Sequence, residues 1–324
     1  MKVLVTDPEG YIGSLLVPSL RRRGHQVVSI GHRDRVISPC SHQQQIGQIA
    51  VTDLQGVEAV IHTGEVSTIP SVHPAIACKA HYQDAMNLAN LAKTAGVRRF
   101  IYLSSCEVYG EGGEEYATEE SPVRPLTPCA TYKTLVETDL QAIASVEFSP
   151  TILRSAIAFG ASPRMQFDAV LNNMAGLAWM TNEIKIPGDG HSWCPLVHVL
   201  DVCDTIACVL EAARSLVYQQ IFHVGSTAHN YQLIEVAAIV ADIFQVERLS
   251  FEKKSSSDRG LFVSFDKISQ FFPDLRCEWN LQQGVQQLLS FFTLTDLVPS
   301  NFVLARSARS QTQNYSISTG VIAS

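Results

Sequence analysis

Residues 1–28 read MKVLVTDPEGYIGSLLVPSLRRRGHQVV, and inside them runs Thr6-Asp7-Pro8-Glu9-Gly10-Tyr11-Ile12-Gly13. Lys2–Thr6 is a short apolar run, the pattern of a strand buried on both faces. Glycines at 10 and 13 interrupt it, and Ile12–Arg23 then follows with apolar residues at helical spacing. A strand, a glycine turn and a helix start form the unit whose backbone N–H groups cradle a diphosphate. Gly10, Tyr11, Ile12 and Gly13 are the residues that would line a dinucleotide, if one is bound at all. Where the first glycine of such a turn belongs there is Asp7. Its side chain burdens a tight turn, and its charge lies near a helix N-terminus that favours an anionic ligand. Pro8 removes one backbone donor from the same loop.

Beyond this stretch, short apolar runs alternate with helical patterns. The strands are expected at Lys2–Thr6, Gln26–Ile30, Ala59–His62, Arg99–Ser104 and Pro150–Leu153, and helices at Ile12–Arg23, Ile76–Ala95 and Thr131–Ala144. Such alternation predicts an α/β fold with a Rossmann-type, doubly wound parallel sheet covered on both faces. Ligands of such sheets bind at the carboxyl ends of the strands. From about Phe159 the loops lengthen, and Pro187-Gly188-Asp189-Gly190 breaks the chain before Leu196–Val199. The expected organisation is a Rossmann-like domain over 1–158, a smaller substrate lobe over 159–298 interleaved with the sheet, and a mobile tail over 299–324, rich in Ser and Gln.

Composition narrows the class. Of 324 residues, 46% are hydrophobic and 17% charged, which suits a packed core rather than a disordered chain. A formal charge of −7 without a basic run argues against nucleic acid and anionic membrane as partners. The chain opens on a strand-like run rather than a signal sequence, and no apolar run has the length of a membrane span, so a cytoplasmic location is expected. The eight cysteines are scattered without CxxC pairs, so no metal is expected, and free thiols are the default reading.

Three segments taken in order carry a resemblance. They are the turn ending Gly10-Tyr11-Ile12-Gly13, then Tyr102-Leu103-Ser104-Ser105-Cys106-Glu107-Val108-Tyr109-Gly110, then Pro125-Leu126-Thr127-Pro128-Cys129-Ala130-Thr131-Tyr132-Lys133-Thr134-Leu135-Val136-Glu137. Pro150-Thr151-Ile152-Leu153-Arg154, Phe159-Gly160, Pro195-Leu196-Val197-His198-Val199-x-Asp201 and Val224-Gly225-Ser226 continue it, over roughly residues 1–290. The chain resembles an extended short-chain dehydrogenase/reductase of the NAD-dependent epimerase/dehydratase family, which includes sugar-nucleotide epimerases and dehydratases. The resemblance implies a small-molecule substrate and a homodimer. It fixes the fold more firmly than the function.

Compared with that family, the working positions differ. The family's turn is Gly-x-x-Gly-x-x-Gly, here Asp7, Gly10 and Gly13. The acid that ends the second strand and holds the adenosine ribose aligns with Gly31. His32, Arg33 and Arg35 follow it; either Arg33 or Arg35 would suit the 2′-phosphate of NADP, and the plain alternative is a solvated turn. Ala50 stands for an aspartate near the adenine, Glu65 follows His62-Thr63-Gly64 beside the cofactor, and His81 stands for an asparagine. The family's Tyr-x-x-x-Lys pair shares one helix face. The lysine holds the nicotinamide ribose and the tyrosine is the acid/base. The alignment puts Cys129 at the tyrosine and Lys133 at the lysine. Tyr132 is the tempting substitute, but one residue before Lys133 it diverges by about 100° around the helix. An arginine that reaches a substrate diphosphate is Cys194 here.

The departures gather around one ligand, so the sequence favours no cofactor. The reading that follows is acid/base chemistry (isomerisation, elimination or cyclisation) on a small organic metabolite. Glu107 matches the glutamate with which family dehydratases remove a proton from carbon, and a partly buried glutamate can act as acid or base near neutrality. Ser105, Cys129 and Lys133 would orient or polarise the substrate, with Cys129 a nucleophile or proton donor. The first alternative is an NAD- or NADP-dependent epimerase/dehydratase or reductase acting on a sugar nucleotide or related substrate, with Tyr132 or Cys129 in place of the tyrosine. The second is a non-catalytic binding protein on the same scaffold.

Overall fold

A computed structural model describes residues 1–31, 49–64, 74–113, 115–252, 260–295 and 297. Arg33, Arg35, Glu65 and the tail from 299 lie outside the described residues.

The strands are β1 (Lys2–Thr6), β2 (Gln26–Ile30), β3 (Ala59–His62), β4 (Arg99–Ser105), β5 (Ser149–Ser155), β6 (Ile157–Phe159), β7 (Glu183–Ile186), β8 (Trp193–His198), β9 (Ile221–Val224), β10 (Asn230–Gln232) and β11 (Arg248–Phe251). The helices are α1 (Gly13–Arg22), α2 (Pro74–Thr94), α3 (Pro128–Ala142), α4 (Val170–Thr181), α5 (Val199–Glu211), α6 (Arg214–Val217), α7 (Leu233–Phe244), α8 (Asp266–Phe271) and α9 (Leu281–Thr295).

Among the described residues the main sheet runs β2-β1-β3-β4-β5-β9, every neighbouring pair parallel. β1, β3, β4 and β5 bury both faces, because successive side chains alternate. Val3 and Val5 pack with Leu15, Leu16 and Leu20 of α1 and with Val202 and Ile206 of α5. Leu4, Val60, Phe100 and Tyr102 pack on the other side with Ala85 and Leu88 of α2 and Val136 and Leu140 of α3. This is the doubly wound architecture expected from the sequence. The chain leaves β1 for β2 on one side and returns to β3 on the other. The topological switch point, where open α/β sheets bind ligands, therefore lies between the carboxyl ends of β1 and β3. A second core, built on Phe167, Leu171, Leu196, Val236, Leu288 and Phe292, joins α4, α7 and α9. β9 returns to the main sheet beside β5.

One boundary matters for the site. The helix expected from Thr131 begins at Pro128. The Thr127 hydroxyl accepts the Ala130 N–H at 3.1 Å, and proline suits the first helical turn because it lacks a donor that would go unused there. Cys129 is thus inside α3, on its first turn.

Candidate functional site

The glycine turn closes although its first position is an aspartate. Asp7 takes φ +48°, the left-handed conformation that a glycine would supply. Aspartate tolerates that region better than most residues. The Gly10 N–H donates to the Asp7 carbonyl at 2.9 Å, and the Asp7 N–H donates to Ile30 at the end of β2 at 2.9 Å. Gly13 is required by close approach: a β-carbon there would lie 2.0 Å from the Asp7 carbonyl oxygen. Glu9, the second acid of the turn, faces the Arg164 guanidinium at 3.6 Å. The Tyr11 hydroxyl donates to the Gly160 carbonyl at 2.8 Å, which ties the turn to the start of the second core. Tyr11 and Ile12 are themselves buried.

Across the switch point, the Thr6 hydroxyl bonds His62 Nδ1 at 2.9 Å and accepts the Thr63 N–H at 3.2 Å. His62 stacks on His81 with ring centroids 5.1 Å apart, and on Tyr102 at 5.7 Å. Both histidines are buried within this packing. Gly64 follows at φ +66°, and a β-carbon on it would lie 2.1 Å from the Leu103 carbonyl and 3.6 Å from Lys133 Nζ. Lys133 therefore reaches the carboxyl ends of β3 and β4.

A buried ion pair lies on the same face of α3. Cys129, Lys133 and Glu137 recur at i, i+4 and i+8, one stripe of α3. Glu137 is 3% exposed and accepts the Ser104 hydroxyl at the end of β4. Arg154 of β5 donates to both Glu137 oxygens, from Nη2 at 2.6 Å and from Nε at 3.1 and 3.3 Å. Burial pulls the Arg154 guanidinium down, but the hydrogen bonds and charge of Glu137 outweigh it and the net shift is upward. Arg154 Nη1 also donates to the Tyr109 hydroxyl at 2.5 Å, and that hydroxyl donates to His223 Nε2 at 2.6 Å. His223 Nδ1 donates to the Ser264 carbonyl at 2.7 Å, and the His223 N–H donates to Glu119 Oε1 at 2.8 Å. Burial holds His223 down at about 4, so the ring is neutral and both its nitrogens are used. Arg154, Tyr109 and Glu137 appear in the sequence only as motif letters; the signal that could have flagged Glu137 is its i+8 spacing from Cys129.

The remaining candidates occupy different settings. Ser105 is partly buried at the end of β4, and its hydroxyl accepts the Glu107 N–H at 3.2 Å. Glu107 is exposed rather than partly buried, on the short turn after β4. Tyr132 turns away from the Lys133 stripe and lies against Tyr82 of α2, centroids 6.2 Å apart. Cys129 is not a free thiol here: it is joined to Cys78 of α2. This corrects the free-thiol reading, and only tertiary packing could reveal it. Cys106 donates to the Arg154 carbonyl at 3.3 Å, and burial raises its thiol strongly. Burial, with the charge of Glu107 added, pushes Cys194 up to about 12. No helix among the described residues is long and apolar enough to cross a membrane.

Comparisons with known proteins bear on this site. Residues 3–225 match the family model described as NAD dependent epimerase/dehydratase family. The chain is 25% identical over 262 residues to UDP-glucose 4-epimerase of Neisseria meningitidis serogroup C, covering 69% of this chain and 77% of that one. It is 29% identical over 129 residues to 3-beta-hydroxysteroid dehydrogenase of Mycolicibacterium neoaurum, a match that spans 35% of this chain and only 34% of that enzyme's length. Among solved structures, MoeE5 in complex with UDP-glucuronic acid and NAD superposes with a TM-score of 0.77 at 22% identity, over 92% of this chain and 100% of that one. The expectation of no cofactor is therefore corrected: the matching family is NAD dependent, and this fold neighbour holds NAD. The physical reason is local. The charge argument at Asp7 overlooked that aspartate can adopt the turn's left-handed backbone, which leaves the glycine cradle intact. The chain belongs to the NAD dependent epimerase/dehydratase family of extended short-chain dehydrogenases/reductases.

Proposed function

We propose that this protein is an NAD(P)-dependent epimerase, dehydratase or reductase acting on a sugar nucleotide or a related substrate. The observation that carries the reading is the cradle at the switch point. Gly13 and Gly64 sit where no β-carbon fits, and Lys133 Nζ lies 3.6 Å from the β-carbon position of Gly64. The residues present suit a dinucleotide. The Gly10 N–H closes the turn onto Asp7, and the N–H groups of Tyr11, Ile12 and Gly13 lead into α1, which has no acid in its first turn, a setting that favours a diphosphate. A bound nicotinamide would supply hydride acceptance and return. Lys133 would then hold the nicotinamide ribose, anchored through its stripe by Glu137. Glu107 and Ser105, beside the substrate side of β4, would move a proton and orient the substrate. Cys129, as a thiol, would take the tyrosine's place as proton donor, with Tyr132 the lesser candidate. Residues 1–158 would serve the dinucleotide and 159–298 the substrate. The chemistry of the relatives' named substrates supports a nucleotide sugar.

Isothermal titration with NAD⁺ and NADP⁺ tests this reading. Micromolar binding is expected, weakened in Lys133→Met and lost in Gly13→Val. Folded protein that binds neither nucleotide at millimolar concentration would overturn it. Incubation with UDP-glucose followed by NMR then reads epimerisation or loss of water.

A further inference from the structure

Cys78 and Cys129 are bonded across α2 and α3, 51 residues apart in sequence. Their settings differ. Cys78 is 0% exposed, whereas Cys129 is half-buried, on the first turn of α3 and four residues from Lys133. We propose that Cys78–Cys129 is a thiol–disulfide exchange site, opened by a dithiol reductant from the Cys129 side, that switches the position beside Lys133 between a blocked sulfur and a free thiol. The switching half rests on the function proposed above.

Three observations support exchange rather than a permanent staple. First, access selects one sulfur: only Cys129 presents surface to an attacking thiolate. Second, the opened form is favoured locally. A thiolate at Cys129 lies at a helix N-terminus with no acid in its first turn, and Lys133 shares its helix face. Stabilising the reduced form makes a disulfide easier to reduce. Third, contacts other than the bond join α2 and α3. The Tyr82 hydroxyl donates to Asp139 at 2.6 Å, Lys93 donates to the Ile143 carbonyl at 2.8 Å, and Ala85 and Leu88 pack with Val136 and Leu140. Opening is then a local event.

The exchange balances in two steps. The reductant's thiolate attacks Cys129 Sγ, the S–S bond breaks, and Cys78 leaves as a thiolate that takes a proton. The reductant's second thiol attacks the mixed disulfide and releases Cys129 as a thiol. The protein gains two electrons and two protons, and the dithiol departs as its own disulfide.

The test uses the full chain equilibrated in oxidised or reduced dithiothreitol, without denaturant. Alkylation with iodoacetamide, then intact mass and peptide mapping, counts free thiols. The chain has eight cysteines. Denatured after oxidation, it should take two labels fewer than after reduction, with the missing pair mapping to Cys78 and Cys129. In a brief pulse on native reduced protein, Cys129 should label at least ~10-fold faster than Cys78, as access dictates. A full set of labels after oxidation overturns the proposal, as does a bond that only denaturant plus dithiothreitol can open. These counts need no nucleotide, so a failure to bind NAD⁺ or NADP⁺ would remove the function proposed above and leave the exchange result readable. Where turnover is found, the oxidised enzyme should keep less than about a tenth of the reduced rate, as loss of a general acid implies. Cys78→Ser should be insensitive to redox state. Equal rates in both states of the unmodified protein overturn the switching half.

Discussion

Glu137→Gln removes the charge opposite Arg154 while keeping the side chain's shape, and its effect is calculable. Both side chains are 4% exposed, and they share three hydrogen bonds, the shortest 2.6 Å. Taking one charge from a buried pair leaves the other unpaired in low dielectric, which costs about 3–5 kcal/mol. Arg154 retains Tyr109 at 2.5 Å and the Glu119 carbonyl at 3.3 Å, so the lower part of that range, about 3 kcal/mol, is expected. For a chain of this size ~2 °C per kcal/mol then gives a fall in Tm of roughly 6 °C. The assay is urea unfolding followed by circular dichroism and tryptophan fluorescence, repeated for Glu137→Leu, for Arg154→Met and for the two together. The double variant should be more stable than either single one, because no charge is left buried and unpaired. On the function proposed above, NAD⁺ affinity should fall with Glu137→Gln as well, since Glu137 ties α3, which carries Lys133, to β4 and β5. A Glu137→Gln cost below about 1 kcal/mol, or a double variant whose cost equals the sum of the singles, would refute the reasoning.

Three further outcomes follow from single features of the fold. Burial lowers His198 and His223 from 6.5 to about 4 and raises Asp201 to about 6. Between about pH 4 and 6 the unfolded chain binds two protons on the histidines that the native chain lacks, and the native chain binds one on Asp201, so these groups cost about 1.4 kcal/mol per unit of acidification. His223→Gln brings the net to zero, and urea midpoints across that window should show the flatter slope. Gly13→Ala drives a methyl group to 2.0 Å from the Asp7 carbonyl, a backbone clash worth about 1–3 kcal/mol, and urea unfolding should read that loss. Cys78→Ala frees a loop of 51 residues, which by chain entropy lowers the stability of the oxidised protein by about 4 kcal/mol; a loss that is equal under reducing conditions would assign the cost to the cavity instead.

The sequence by itself determined the first five strands and the three helices between them, in order. β1 and β3 fall where the apolar runs place them, because burial on both faces of a parallel sheet writes an apolar run into local sequence; β2, at the sheet edge, is only partly buried. The motif string from Gly10 to Gly225 likewise carried the family. Local reading faltered where two local rules compete. At Asp7 charge argued for an emptied cofactor site, while the same side chain's tolerance of φ +48° kept the turn closed. At Thr127-Pro128 helix spacing started α3 three residues late, because the cap and the first-turn proline lie outside the apolar period. Only the tertiary structure decided the rest. The union of Cys78 with Cys129, the pair between Arg154 and Glu137, and the approach of Lys133 to Gly64 each join residues from different elements. Spacing along a chain cannot specify such meetings, because they are set by how α2 and α3 dock on the sheet, and that docking is a property of the whole packed core.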